Sequence, residues 1–441
     1  MPDSQYQADA PTNAAPTPAD GVGTSAAHYS PSHVPIAPTG VVRTSEPYEF
    51  LRKLRYVDAD GGKAAYERRI GAPGTRRIKI PGHSMFYVPL PQTEAAVEEI
   101  YARERTINAT WRTLPPVATT SFIQSLIIHE VISTNNIEGV HSTRREVQEA
   151  LAKPNVRLSS FVRLFLELTG DHPARIATLE DIRAVYNRVT EGEISRDDLP
   201  DGQLFRKEPV LITTGSQKIV HRGVYPEANI RAGLETMLGL WKRPISSRLV
   251  AATLSHLLFE MIHPFYDGNG RTGRYLLAHA LRQTLSISTA LAVSPQISDD
   301  KEAYYRAFIE VEDARNRGEC TQFVTTMLDF IGRAQRWVLG TIGPKSTSLA
   351  RAHELLQHLA PTIRSKAERN TLFVLAQAYL FAEDHATDLD TFVATYGSSR
   401  RTFRDALREL EEQGRVVTVR RRPLRFALST AEAERLTLDV D

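Results

Sequence analysis

Apolar residues recur at every third or fourth position through most of the segment between residues 92 and 338, which is the period of an amphipathic α-helix. Phe122, Leu126 and Ile132, for example, fall on one face of such a segment. Gly139 follows this segment and is expected to end it. Helices are predicted over 92–112, 119–138, 143–152, 157–168, 175–188, 227–241, 246–262, 271–285, 299–314 and 319–338.

Two places interrupt this series of helices. Residues 210–213 and 218–221 are β-branched or extended around a Thr-Gly-Ser-Gln turn, which predicts a short β-hairpin. Pro344 and Lys345 are expected to break the chain after the last of these helices. A further helical connector is predicted over 348–368.

The C-terminal part has a different pattern. Segments 371–380, 388–397 and 398–414 are predicted to be helical, and 415–428 alternates as two strands around a proline turn. Three helices followed by a hairpin are typical of a winged helix-turn-helix. The region 397–428 also contains nine arginines and four acidic residues, so it is locally basic.

The N-terminal part is rich in Ala, Pro, Thr and Ser and lacks large apolar residues, which predicts disorder. Residues 46–81 are mixed and basic, and we expect a loosely packed lead-in there. The resulting division is a disordered N-terminus (1–45), an N-terminal helical region (46–156), a helical core (157–345), a helical connector (346–369) and a winged-helix domain (370–441).

Composition excludes several classes of protein without identifying one. The chain has 441 residues and a net charge of +2, so no global field favours nucleic acid or a membrane surface. Cys320 is the single cysteine, which excludes an intrachain disulfide and fits a reducing compartment. No segment is apolar over the length of a transmembrane helix, and the N-terminus does not resemble a secretion signal. We therefore expect a cytoplasmic protein without a membrane partner.

Candidate chemistry is concentrated in the stretch HPFYDGNGRTGR, residues 263–274. Pro264 cannot continue the helix that precedes it. Gly268, Asn269 and Gly270 tolerate left-handed backbone and leave bare N–H groups where the next helix begins. Because the first N–H groups of a helix have no partners within it, this turn is a candidate anion site.

The side chains of the same stretch suit the transfer of a phosphoryl-linked group. Arg271 and Arg274 are three residues apart, so they share a helix face and can grip phosphates. Asp267 is a hard oxygen ligand where a phosphate-bound Mg²⁺ would sit. His263 is the nearby group that can take a proton near neutral pH. These residues are the parts needed for attack by a hydroxyl on a nucleotide phosphate.

This stretch resembles the signature HPFx(D/E)GNGRxxR of Fic-domain proteins and matches it at every fixed position. The flanking segments FYVPLP, STNNIEGV, GQLFRKEPVLI and EAYYRAFI are also similar to parts of that family, so the resemblance covers about residues 85–335. It implies a mostly α-helical Fic-type bundle with a short β-hairpin flap. It also implies transfer of AMP from Mg-ATP to a Ser, Thr or Tyr hydroxyl of a target protein, with ATP and Mg²⁺ required.

The resemblance also implies a role for each matching residue. His263 would deprotonate the target hydroxyl, Asp267 would hold Mg²⁺, and Arg274 would meet the γ-phosphate. Gly270 favours AMP transfer, because the phosphorylating branch of the family has lysine there. The residues that would cradle the α- and β-phosphates are Gly268, Asn269, Gly270 and Arg271. Further contacts are expected from Asn316 to the nucleotide and from the flap residues Val220, His221 and Arg222 to the target.

The stretch TNNIEG resembles the family's inhibitory signature (S/T)xxxE(G/N), with Thr134, Glu138 and Gly139 as its matching residues. A Glu138 carboxylate paired with Arg274 would occupy the charge that the γ-phosphate needs. The resemblance therefore implies a self-inhibited adenylyltransferase. Two alternatives stay open: a DNA-binding regulator with a secondary Fic core, and an enzyme whose main reaction removes AMP. The oligomeric state is open as well.

The remaining candidate groups are expected to be structural. His129, His256 and His279 lie on apolar helix faces, which favours packing over ligand binding. No group of His, Cys, Asp and Glu residues has the spacing of a zinc site. Cys320 is expected to be buried and unreactive.

Overall fold

A computed structural model of the protein describes residues 59–213, 219–358, 363–397, 399–422, 424–436 and 438. The segment predicted to be disordered, residues 1–45, lies outside this part of the chain. The helices are α1 Ala59–Ile70, α2 Pro91–Trp111, α3 Pro116–Ile137, α4 Arg144–Ala152, α5 Ser159–Thr169, α6 Leu179–Val189, α7 Glu227–Lys242, α8 Arg248–Ile262, α9 Asn269–Arg282, α10 Ile287–Ala290, α11 Val293–Asp299, α12 Lys301–Glu312, α13 Thr321–His358, α14 Lys366–Phe381, α15 Leu389–Tyr396, α16 Arg400–Glu412 and α17 Thr430–Arg435.

The strands are short and form three small antiparallel sheets in the described residues. The protein is therefore mostly α-helical, as the sequence predicts. None of the helices in the described ranges is both long and apolar enough to cross a membrane. The strands are β1 Arg76–Ile80, β2 His83–Tyr87, β3 Leu211–Thr213, β4 Ile219–Arg222, β5 Thr387–Asp388, β6 Val416–Arg421 and β7 Leu424–Leu428.

The region predicted to be a loose lead-in is instead ordered from α1 onward. Strands β1 and β2 form a hairpin in which Ile78 lies opposite Met85, and both side chains are buried. The buried Arg69 side chain of α1 pairs with Glu319, which lies just before α13. The prediction failed because a five-residue strand with one buried face is too short to separate from a basic loop by its pattern alone.

The centre of the fold is the antiparallel pair α8 and α9, which carries the predicted catalytic stretch between its two helices. Nearly every side chain of α8 is buried, which is typical of a helix surrounded by other helices. Ser247 caps the start of α8 by accepting from the Val250 N–H. Helix α3 crosses near this pair, and its Val131 and Ile127 are completely buried. The site is thus held on rigid elements.

The predicted break at Pro344 and Lys345 is wrong, because α13 runs without interruption through Pro344. A proline inside a helix costs about 3 kcal/mol, since it removes one N–H and crowds the preceding turn. Ile342 and Leu349, on either side of it, are buried against the core. Burying two such side chains gives roughly 1.5–3 kcal/mol each, which is enough to offset the cost of the proline.

The C-terminal part contains the predicted order of three helices and a hairpin, here α14, α15, α16 and β6–β7. One element was not predicted: strand β5 pairs with β7, so that the sheet order is β5-β7-β6. The side chain of Ser399 caps α16 by accepting from the Thr402 N–H, while Ser398 lies outside the described residues. Helix α14 packs on α3, where Gln377 accepts from the Ala118 N–H at 3.2 Å.

Candidate active site

The loop between α8 and α9 begins at His263, which adopts left-handed backbone with φ of 51°. Its N–H closes the last turn of α8 on the Phe259 carbonyl at 2.9 Å, and Pro264 then prevents the helix from continuing. The Asn269 side chain braces the loop, since it accepts from the Phe265 N–H at 3.0 Å and donates to the Phe265 carbonyl at 2.8 Å. The loop is therefore fixed on both sides of its turn.

The N-terminus of α9 begins with small residues that are buried beneath the Glu138 carboxylate. Gly268 stands at the N-cap with φ of +77°, a region that favours glycine. At Gly270, an added Cβ would lie 2.1 Å from Glu138 Oε1. A side chain at position 270 would thus collide with the Glu138 carboxylate, and glycine leaves the unpaired N–H groups of the first turn open.

Arg274 is held by the C-terminal turn of α3. Its Nη2 lies 2.8 Å from Glu138 Oε1, its Nε donates to Thr134 Oγ1 at 2.6 Å, and its Nη2 donates to the Thr134 carbonyl at 2.9 Å. Burial alone would lower the pKa of Arg274, but Glu138, Tyr304 and Glu260 raise it above its ordinary value. The guanidinium is therefore charged and directed to Glu138.

Helix α12 fixes the position of the Glu138 turn. Tyr305 donates to the Ile137 carbonyl at 3.1 Å, and Lys301 donates to the Asn136 carbonyl, so that two of the last carbonyls of α3 have partners. Gly139 then reverses the chain with φ of +72°. Glu138 therefore lies next to the loop at a helix end that Lys301 and Tyr305 of α12 hold in place.

These groups line one cavity of about 300 Å³. Its lining includes Glu138, Gly270 and Arg274 as well as His263 and His221, whose ring centroids lie 5.8 Å apart. Aromatic side chains of α12 complete the wall, namely Tyr304, Tyr305 and Phe308. His263, which can accept a proton, and the positively charged Arg274 thus line the same partly apolar cavity.

His263 is a neutral imidazole at ordinary pH. Burial, with smaller contributions from His221 and Arg206, lowers its pKa to about 3. Its Nδ1 lies 3.3 Å from the Glu260 carbonyl, which can only accept, so Nδ1 carries the proton and Nε2 is free to accept one. A bound phosphate would raise this pKa, because a nearby anion stabilises the imidazolium.

Glu260 is a residue of the cavity that the sequence analysis missed. Its carboxyl group is buried, and burial raises its pKa to about 8 against the opposing effect of Arg274. Glu260 Oε1 has no hydrogen-bond partner among the described residues, and Gly273 leaves space for it, since a Cβ there would lie 2.1 Å away. The sequence feature that could have indicated Glu260 is that it is a lone acid in an apolar helix, one turn before His263.

Arg271 is directed away from Arg274, although both begin on the same helix. It forms an ion pair with Glu193, which follows α6, and Arg157 lies on the other side of Glu193 at 2.8 Å. Glu193 was not predicted from the sequence. Its contact with Arg271 could not be read from a spacing, because the two residues are 78 positions apart. A phosphate at Arg271 must therefore compete with this carboxylate.

Asp267 is exposed and its Oδ1 accepts from the neighbouring Gly268 N–H at 2.5 Å, which leaves its other oxygen unused by this contact. Within the described residues no group of three or more His, Cys, Asp or Glu side chains is arranged to hold a metal ion. A single carboxylate beside a phosphate cradle suits Mg²⁺, which takes most of its ligands from phosphate and water.

The other predicted contacts lie further from this cavity or only partly within it. Asn316 is buried in a short turn after α12, where its side chain donates to the Glu319 carbonyl at 2.9 Å, and it does not line the cavity. The flap is the predicted hairpin, in which Ile212 pairs with His221 and Leu211 with Arg222. Of the three flap residues, His221 lines the cavity and contacts Glu312 at 2.5 Å. Val220 belongs to strand β4.

This part of the chain is similar to known proteins. Residues 176–281, which include α8, the loop and α9, match the model of the Fic/DOC family. A Fic family protein from Desulfovibrio desulfuricans G20 has a similar fold, with 20% identity over 78% of this chain and 98% of that protein and a TM-score of 0.50. A Fic domain containing signaling protein from Bacteroides thetaiotaomicron VPI-5482 matches 56% of this chain and 95% of its own at 15% identity, with a TM-score of 0.41. The match to the family model indicates a Fic/DOC family domain in residues 176–281.

Proposed function

We propose that this protein is a self-inhibited adenylyltransferase, which moves AMP from Mg-ATP to a hydroxyl group of a target protein and of itself. The observation that carries the proposal is the cavity that holds His263 together with the Arg274–Glu138 ion pair of 2.8 Å. The cavity contains the proton acceptor and the phosphate-binding cation of the proposed reaction. It also contains a carboxylate that competes with the phosphate for that cation.

In the proposed reaction, the target hydroxyl oxygen attacks the α-phosphorus of ATP. The bond from this phosphorus to the bridging oxygen breaks, and pyrophosphate leaves with the bonding electrons. His263 Nε2 accepts the hydroxyl proton, since Nδ1 is already engaged with the Glu260 carbonyl. The neutral state of His263 supports this role.

The phosphates would lie on the first turn of α9, whose N–H groups at Gly270 and Arg271 point out of the helix. Arg274 would hold the γ-phosphate once Glu138 leaves it. Asp267 would hold Mg²⁺, which when bound offsets the negative charge of the phosphates. Arg271 would take part after separating from Glu193.

The target protein would approach along the flap. Strands β3 and β4 form a two-stranded sheet, so an extended segment of the target can pair with its backbone. His221 lies beside the cavity, with its ring centroid 5.8 Å from that of His263. A hydroxyl carried by the paired segment would then be near the proton acceptor.

Incubation with α-labelled ATP and Mg²⁺ tests the proposal, using the Glu138→Gly protein with and without cell lysate. Labelled bands that disappear with His263→Ala would support AMP transfer. A label from γ-labelled ATP instead would show phosphorylation and refute the proposal. Loss of label when the wild type is added to protein labelled by the Glu138→Gly variant would favour AMP removal as the main reaction of the wild type.

The C-terminal part supports a second candidate function, DNA binding by a winged helix. The order α14, β5, α15, α16, β6 and β7 is that expected for this motif, and Arg420, Arg421 and Arg422 are exposed near the tip of the hairpin. Arg415 is unavailable, because it is buried in an ion pair with Glu432 at 2.9 Å. Duplex binding by the full chain that weakens steeply with salt would support this function, and its absence at low salt would refute it.

A further inference from the structure

A second cleft lies at the opposite end of the α8–α9 pair from the catalytic loop. It has a volume of about 510 Å³ and is bordered by α7, by the start of α8, by the end of α9 and by the loop before α6. His279, which lines it, follows Asn269 by ten residues on α9, or roughly 15 Å along the helix axis. The cleft is therefore distinct from the nucleotide-binding end of that helix.

The interior of this cleft is mostly apolar, with walls from Leu238, Ala251 and Ala252. Two buried nitrogen atoms interrupt it, His279 Nδ1 and Trp241 Nε1, and neither has a hydrogen-bond partner among the described residues. A buried polar atom without a partner costs about 1–3 kcal/mol, so such atoms are uncommon in the absence of a ligand or water.

The two nitrogens have complementary roles. His279 Nε2 lies 3.0 Å from the Ala174 carbonyl and must donate to it, which leaves Nδ1 as an acceptor. Burial lowers the pKa of His279, so this ring is neutral. The Trp241 nitrogen can only donate. The centroids of the two rings lie 5.8 Å apart, so a hydroxyl group that lies between the two nitrogens would accept from Trp241 and donate to His279.

The mouth of the cleft is positively charged. Arg175, Lys242 and Arg248 line it and are exposed, and none of them forms an ion pair with a carboxylate in the described part of the chain. Asp171 and His172 are the other titratable groups at the mouth. Three cations and one acid leave a net positive charge there, which favours an anion.

We propose that this cleft binds a small organic anion: a carboxylate at the mouth, a planar apolar body between the walls and a hydroxyl group that bridges Trp241 and His279. The apolar walls exclude a bare phosphate or sulfate as the preferred ligand, since such an ion would leave them unfilled. A hydroxylated ligand is preferred because it satisfies both buried nitrogens, whereas an analogue without the hydroxyl leaves them unpaired.

Isothermal titration calorimetry of the full chain tests the proposal with two hydroxylated acids of different length. The probes are 4-hydroxybenzoate and 3-(4-hydroxyphenyl)propanoate, and each is compared with the same acid lacking the hydroxyl group. We expect at least one hydroxylated acid to bind about tenfold or more tightly than its analogue, as a lost buried hydrogen bond implies. Equal affinities, or no binding of any probe at millimolar concentration, would overturn the proposal.

Variants locate the binding. Trp241→Phe keeps an aromatic ring but removes the N–H, so it should abolish the preference for the hydroxyl. Arg175→Gln combined with Lys242→Gln should weaken all of the acids, whereas Arg243→Gln, an exposed residue at the end of the same helix that does not line the cleft, should have no effect. Retained preference in Trp241→Phe, or displacement of the probe by ATP, would place the binding elsewhere and refute the assignment.

Discussion

Removing the Glu138 carboxylate should activate the proposed AMP transfer, because this group pairs with Arg274, the cation proposed to hold the γ-phosphate. Glu138 Oε1 lies 2.8 Å from Arg274 Nη2, and the Glu138 side chain is 31% exposed. At an effective dielectric constant of 20, two unit charges at this distance attract by about 6 kcal/mol. Solvent screening and the hydrogen bonds that Arg274 keeps with Thr134 reduce the part that a nucleotide must overcome.

If roughly 1.4–2.8 kcal/mol of this attraction opposes the nucleotide, Glu138→Gln should bind ATP about 10- to 100-fold more tightly. The substituted glutamine keeps the size of the original side chain, so this variant tests charge alone. Glu138→Gly should have a similar effect and should also free the space beside Gly270. Arg274→Ala should remove activity in either background, since it lacks the cation itself.

The assay is incorporation of α-labelled AMP into the protein at equal concentrations of protein and Mg-ATP, together with calorimetric titration of ATP. Glu302→Gln is the matched control, because it removes one negative charge from an 85% exposed side chain on α12. Equal incorporation by the wild type and both Glu138 variants would refute the reasoning. Activation by Glu138→Gly but not by Glu138→Gln would show that flexibility of the helix end, and not charge, restrains the enzyme.

Three further predictions test single groups. His263→Ala should abolish AMP transfer while ATP binding measured by calorimetry stays within about twofold, because the imidazole accepts a proton and does not hold the phosphates. Glu193→Gln should tighten ATP binding by releasing Arg271, and unchanged binding would show that this ion pair is only structural. Burial raises the pKa of Glu130 from its ordinary 4.5 to about 8. The native carboxyl group therefore keeps its proton between these values while the unfolded chain loses it, so stability falls as the pH rises through this window, by about 1.4 kcal/mol per pH unit. Glu130→Gln should lower the slope by this amount in thermal denaturation, while the contribution of Glu260, whose pKa burial also raises to about 8, remains. An unaltered slope would refute the assignment.

The helices and the catalytic turn could be predicted from the sequence because their signals are local. The apolar period of α8, the proline after His263 and the glycines at 268 and 270 each act within one or two turns. The same holds for the end of α3 at Gly139. Apolar periodicity did not reveal the 38-residue length of α13, since packing on both sides of Pro344 outweighs the local cost of the proline.

The charges around the site could be predicted only in part. The pairing of Glu138 with Arg274 was expected from a resemblance and not from spacing. The two residues are far apart in sequence: Thr134, one turn before Glu138, lies 140 positions from Arg274. Glu193 was missed for the same reason, since it lies 78 positions from Arg271. A carboxylate in a helix or loop shows its partner only after the chain has folded, and burial of Glu260 follows from α9 packing closely at Gly273.

One short segment of the chain contacts the ion pairs of both motif arginines, directly at Arg274 and through Arg157 at Arg271. Glu138 holds Arg274, while Arg157, which lies against the Arg271 partner Glu193, also donates to the His141 carbonyl at 2.9 Å and to Glu146 at 2.7 Å.

Residues 138–143 connect α3 to α4, so a movement of this segment would shift the Glu138 carboxylate relative to Arg274. The same segment is tied to the C-terminal part, because Arg144 at the start of α4 pairs with Glu383 just after α14. A partner that displaces the C-terminal part would thus act on the Glu138–Arg274 ion pair through a single connection. A nucleotide that displaces Glu138 from Arg274 would, by the reciprocity of coupled equilibria, loosen that same connection.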